Sequence, residues 1–201
     1  MTNYLASSEY IDWEEPAVRS KAAALAENAG DELGLVRKCF EFVRDEILHS
    51  ADYKLNPVTC AASEVLRYGT GYCYAKSHLL AALLRANGIR AGLCYQRLTI
   101  ENDRPPYCLH GLNAVFLPRF GWYRVDARGN KPGVDAEFCP PVEKLAFPIR
   151  VSGESDLPEI WPEPLSIVTK ALRRYETYED VARNLPDIEL VKANNTIEAD
   201  T

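Results

Sequence analysis

The chain has 201 residues, 47% of them hydrophobic and 26% charged, which is the balance of a soluble globular protein long enough for one sizeable core. A net charge of −6 with no offsetting basic cluster argues against nucleic acid as a partner. No window reaches the length of a membrane span, and Met1–Glu9 has neither the basic nor the apolar segment of a signal peptide, so the expectation is a cytoplasmic protein with no membrane partner.

Glu14-Glu15-Pro16 can open a helix, with proline in its first turn, and the alanines of 17–29 continue it to Gly30. Asp31 is a plausible N-cap for a second helix carrying Leu35, Val36, Cys39, Phe40, Val43 and Ile47 at helical spacing. Residues 49–60 read as a loop, and 61–68 as a short helix. Gly69-Thr70-Gly71 then breaks the chain just before Cys73, where a strong apolar helical pattern starts, ending at Asn87-Gly88. After this the periodicity changes. Residues 89–100, 107–117 and 122–127 read as strands, separated by turns at 101–106 and 118–121. The remainder, 131–201, is Pro-rich and irregular, with helices near 164–175 and 178–185 and a frayed final dozen residues. Helices followed by an antiparallel sheet define an α+β class, in a single domain over 1–201 whose core is about 31–130.

The six cysteines, at 39, 60, 73, 94, 108 and 139, contain no C-x-x-C pair. Neither a zinc knuckle nor a disulfide framework is therefore indicated. Cys73 differs from the rest in its setting. A thiol at the first turn of a helix lies beside unpaired backbone N–H groups and the positive end of the helix dipole, which suits a nucleophile.

Such a nucleophile needs a base, and only three histidines are available. His49 falls in or near a polar loop and reads as solvent-exposed. His78, five residues past Cys73 on one helix, is turned about 140° away from it. His110 lies within a strand on the face shared with Leu112, Ala114 and Phe116, which reads as core-facing. A hairpin pairing 116 with 120 would pair 110 with 126, an aspartate, and a slip of one residue would send Asp126 to the opposite face. Cys73 then attacks a carbonyl, His110 takes its proton, and Asp126 fixes the imidazole. The Cys73 N–H is one oxyanion donor; Asn56, Tyr53 and Gln96 are candidates for the second.

Gly71-Tyr72-Cys73, the helix end Leu83-Leu84-Arg85-Ala86-Asn87-Gly88-Ile89, His110 in a strand, and Gly121-Trp122-Tyr123-Arg124-Val125-Asp126 together resemble the core of the transglutaminase-like superfamily. The resemblance spans roughly residues 35–130. It implies a papain-like catalytic core acting on amide bonds, with Cys73, His110 and Asp126 as triad. Two stretches depart from the pattern: His110-Gly111-Leu112 where the family often has His-Ala-Trp, and Asp126-Ala127-Arg128 where it has Asp-Pro-Thr.

Each residue also has a plainer reading. Cys73 alone would be a buried thiol, His110 a satisfied core histidine and Asp126 a strand-end carboxylate bonded to the following turn. Lys76 reads as part of a solvated helix face. Cys73, Cys108 and His110 could begin a zinc site, but a fourth ligand is missing. The expectation is a cysteine hydrolase or acyltransferase working through a thioester on a peptide or small amide, with no cofactor and no metal. Its rival is a non-catalytic binding or scaffolding module of the same fold, and residues 140–164 could cover the cleft in either case.

Overall fold

The computed structural model describes residues 3–101 and 103–190. In chain order it contains α1 (Pro16–Ala26), α2 (Glu32–Glu41), a π-helical turn (Phe42–Glu46), β1 (Leu48–His49), α3 (Ser50–Tyr53), α4 (Ala62–Tyr68), β2 (Thr70–Gly71) and α5 (Cys73–Ala86). There follow β3 (Ala91–Glu101), β4 (Arg104–Leu117), β5 (Gly121–Val125), β6 (Glu137–Cys139), β7 (Val142–Lys144), β8 (Ser155–Asp156), α6 (Ser166–Arg174) and α7 (Tyr178–Arg183). The α+β class and the antiparallel sheet are as expected: β5-β4-β3-β8 form one sheet, and helices cover it. Apart from Leu190, the frayed final dozen lies outside the described residues.

α5 is the axis of the fold. Every residue from Cys73 to Arg85 is buried, because α1, α2 and α4 pack on one side and β3 and β4 on the other. Its polar residues must therefore find partners inside the protein. Asn113 of β4 donates to Ser77 O and Gly92 O, and Arg85 donates to Ala6 O, Ala91 O and Pro162 O. The ammonium of Lys76 donates to Arg44 O and Ile47 O, so the solvated helix face expected for this residue is not there. The expected N-cap at Asp31 is present, its carboxylate accepting from Gly34 N at 2.8 Å.

The loop expected over 49–60 contains structure too short for periodicity to reveal. β1 pairs in parallel with β2, joining Leu48 to Thr70 and His49 to Gly71. Side-chain bonds close the pair: Thr70 Oγ1 donates to Leu48 O and Thr59 Oγ1 donates to Thr70 O, both at 2.9 Å. Gly69, at φ 65°, ends α4 in the left-handed conformation that favours glycine. As a result His49 is buried rather than solvent-exposed.

The β4–β5 hairpin is offset by two residues from the expected register. Leu117 pairs with Gly121, Phe116 with Trp122 and Asn113 with Val125, where β5 ends. A two-residue shift preserves parity, so Asp126 stays on the His110 face, diagonal to it rather than directly opposite. That face is buried, but not against α5. Leu109, Val115 and Leu117 belong to the main core with α5, while Leu112, Ala114 and Cys94 pack under Leu145, Ile160 and Trp122. Residues 131–160 thus roof the histidine side of the sheet.

Candidate active site

Because β5 stops opposite Asn113, the adjoining edge of β4 is left free from Gly111 onward. The start of α5 fills that place. Gly111 N donates to Cys73 Sγ at 3.4 Å, and one residue pair further on Leu109 N donates to Pro186 O at 2.7 Å. The approach leaves little room for a side chain at position 111. A Cβ at position 111 would sit 3.0 Å from Tyr74 Cα and 3.2 Å from Tyr74 N. The departure from the family's His-Ala-Trp therefore has a local cause in how tightly α5 abuts β4.

His110 Nε2 meets Asp126 Oδ2 at 2.7 Å, leaving Nδ1 as the ring nitrogen for the sulfur. The Asp126 carboxylate is fully buried and also accepts from Arg128 N and Ala146 N, each at 3.1 Å. Burial alone would raise its pKa, but His110 and the two backbone donors outweigh that, so it lies below the ordinary carboxylate value. The strand-end role read from sequence and the role beside His110 are thus filled by one carboxylate. Burial likewise opposes charge on His110, but Asp126 and Cys73 prevail and its pKa rises to about 10. Phe147 covers the ring edge-on, with centroids 5.0 Å apart.

Cys73 is 7% exposed, at the floor of a cleft of about 500 Å³. Tyr72, Leu98, Ile100, Leu109, Phe147 and Leu185 give the cleft apolar walls, and Arg128, Arg150 and Glu101 add charge at its margins. Residues from the 140–164 stretch therefore form a wall of the cleft without closing it. The cap residue Tyr72 makes no side-chain bond to the first turn of α5. The thiols of Cys39, Cys60, Cys94 and Cys108 are pushed up to about 12 by burial. All six cysteines are free. Among the described residues no three His, Cys, Asp or Glu side chains converge to hold a metal, so Cys108 does not extend the pair into a zinc site.

None of the three candidates for the second oxyanion donor is among the residues lining the cleft. Asn56 uses its side-chain oxygen to accept from Tyr178 N, Tyr53 is 57% exposed, and the Gln96 amide donates to Phe147 O and Asp156 Oδ1. His78 points away from the thiol as expected, its Nδ1 against Cys60 O at 2.8 Å.

A helix-borne cysteine abutting the edge of a strand that carries the histidine defines the papain-like fold class. The sequence profile of the transglutaminase-like superfamily matches residues 19–127, and the chain belongs to that superfamily. The comparison with curated proteins gives no match. Among solved structures, a protein from Cytophaga hutchinsonii named as a candidate cysteine protease aligns with a TM-score of 0.50 at 17% identity, over 62% of this chain and 40% of that one. The periplasmic domain of TgpA from Pseudomonas aeruginosa gives 0.46 at 21% identity, over 62% and 45%. Red sea bream transglutaminase gives 0.45 at 12%, over 62% and 27%. The chain thus spans less than half the length of each.

Proposed function

We propose that the protein is a cysteine-dependent amide hydrolase or acyltransferase that works through a thioester on Cys73. One observation carries the reading. Cys73 and His110 line one open cleft, with Asp126 Oδ2 2.7 Å from His110 Nε2 and Gly111 N, the residue next to His110, donating to the sulfur at the strand edge.

In this reading the proton shared by sulfur and ring rests on His110, whose charge Asp126 stabilises. The sulfur attacks the amide carbon, the carbonyl pair moves to oxygen, and the Cys73 N–H donates to that oxygen. Collapse of the intermediate expels the amine, which takes the His110 proton. The ring, now neutral, deprotonates the water or amine that cleaves the thioester. These steps require no cofactor. The apolar walls favour a peptide or small amide with an apolar acyl portion.

Incubation with p-nitrophenyl acetate tests it. The expected result is a burst of p-nitrophenolate with an acetyl group on Cys73, abolished in Cys73→Ser. Acetylation spread evenly over the cysteines, or unchanged release in Cys73→Ser, would overturn it.

A further inference from the structure

His110 belongs to the proposed triad and His78 is sealed against Cys60 O, but His49 borders the same cleft without a role in the reaction above. Its position is fixed relative to the nucleophile. The β1–β2 pairing sets it against Gly71, two residues before Cys73, and its ring packs edge-on against Tyr72 with centroids 5.4 Å apart.

The two ring nitrogens are in different settings. Nδ1 is buried with no hydrogen-bond partner. The nearest carboxylate oxygen, Asp52 Oδ2, is 3.7 Å away, beyond hydrogen-bonding range. That carboxylate is already held by Arg128 at 2.6 and 3.1 Å and by Lys131 at 2.6 Å. A sealed N–H without an acceptor is costly, whereas a bare lone pair is less so, and the single proton of a neutral ring therefore belongs on Nε2. Neutrality is enforced by burial first and then by Arg128, which hold the pKa well below the ordinary histidine value. His49 lines the cleft, and of its two nitrogens only Nδ1 is sealed without a partner; a neutral imidazole that carries its N–H on the other nitrogen is a fixed dipole, and such donors strengthen as negative charge develops on oxygen.

Resting on the thioester reading, we propose that His49 Nε2–H is the second oxyanion donor, acting beside the Cys73 N–H. During attack the C–S bond forms, the carbonyl π pair becomes the oxyanion, and both N–H groups donate to it. On collapse the π bond re-forms and the C–N bond breaks, while His49 keeps its proton throughout. This places the donor on β1, in the segment that reads from sequence as a plain loop.

Two reagents separate this role from a structural one. Iodoacetamide alkylates sulfur by displacing iodide and forms no oxyanion, whereas p-nitrophenyl acetate acylates through a tetrahedral oxyanion. Both rates at Cys73, mapped by peptide mass, are measured in the wild type, in His49→Phe, which retains a ring against Tyr72, and in His49→Gln, which retains a donor. The expected result for His49→Phe is acylation slowed about 100-fold or more, the cost of one oxyanion donor, with alkylation little changed. His49→Gln should recover a large part of the acylation rate. Undiminished acylation in His49→Phe, or acylation and alkylation falling in parallel in both variants, would overturn the assignment and leave the thioester reading standing. A wild type that alkylates but does not acylate Cys73 would overturn the thioester reading itself.

Discussion

Two histidine–aspartate pairs flank the cleft, and they behave oppositely. His110 touches Asp126 at 2.7 Å, and the carboxylate's other partners are neutral backbone N–H groups. His49 lies 3.7 Å from Asp52, whose charge Arg128 and Lys131 have already taken up. Both rings are buried, so desolvation works against charge in each. Only His110 meets an uncommitted carboxylate and rises to about 10; His49 falls well below its ordinary value. A nearby aspartate thus does not decide the charge of a buried histidine. What else holds that aspartate does.

The largest way to break the contrast is Asp126→Asn, which removes the charge from the stronger pair. Loss of the oriented ring should slow acylation of Cys73 on the order of 10⁴-fold, and leaving a buried imidazolium unpaired should cost about 3 kcal/mol at neutral pH. The sign with pH follows from linkage. His110 has a raised pKa, so its contribution is complete below about 6.5, the unfolded value, and is lost as pH climbs through about 10. Thermal melts from pH 7 to 10.5 should fall more steeply for the wild type than for Asp126→Asn. Parallel curves would contradict the charge assigned to His110.

Gly111→Ala leaves both pairs intact and moves the sulfur instead. The added methyl meets the Tyr74 backbone at 3.0 to 3.2 Å. Overpacking of this kind costs about 1–3 kcal/mol, read as a lowered melting temperature, and the displaced helix start should slow alkylation of Cys73. An unchanged alkylation rate would mean that the Gly111–Cys73 approach does not set reactivity.

The mildest change sharpens the contrast from its other side. Arg128→Gln retains the backbone N–H that Asp126 accepts but removes the cation that, after burial, does most to lower the His49 pKa. The His49 pKa should then move up toward the ordinary value, followed by NMR titration of its ring protons, with the fold preserved. A stationary titration would assign the depression to burial alone.

The contrast also explains what could be read in the sequence. The α+β class, the helix beginning at Cys73 and the strand carrying His110 follow from periodicities of 3.6 and 2 over ten or more residues. The His110–Asp126 contact survived a two-residue register error because side-chain facing depends only on parity. His49 was hidden for the opposite reason. Its two-residue strand has no periodicity, and the parallel pairing with Thr70-Gly71 is a long-range contact. Lys76 was hidden because its partners are the carbonyls of Arg44 and Ile47, groups present at every position and so invisible as a pattern. The face of His110 is buried as its apolar neighbours imply, but what covers it does not show in the sequence, since the Pro-rich segment that roofs it has no repeat to mark its course.

Alkylation by iodoacetamide, mapped over all six cysteines as a function of pH, tests the central claim most directly. With the sulfur's proton resting on His110, Cys73 should be modified well ahead of the other five, at a rate that at pH 6.5 keeps most of its value at pH 8 and is lost in His110→Ala. Slow, even labelling of the six thiols, rising only above pH 8 and indifferent to His110→Ala, would contradict it.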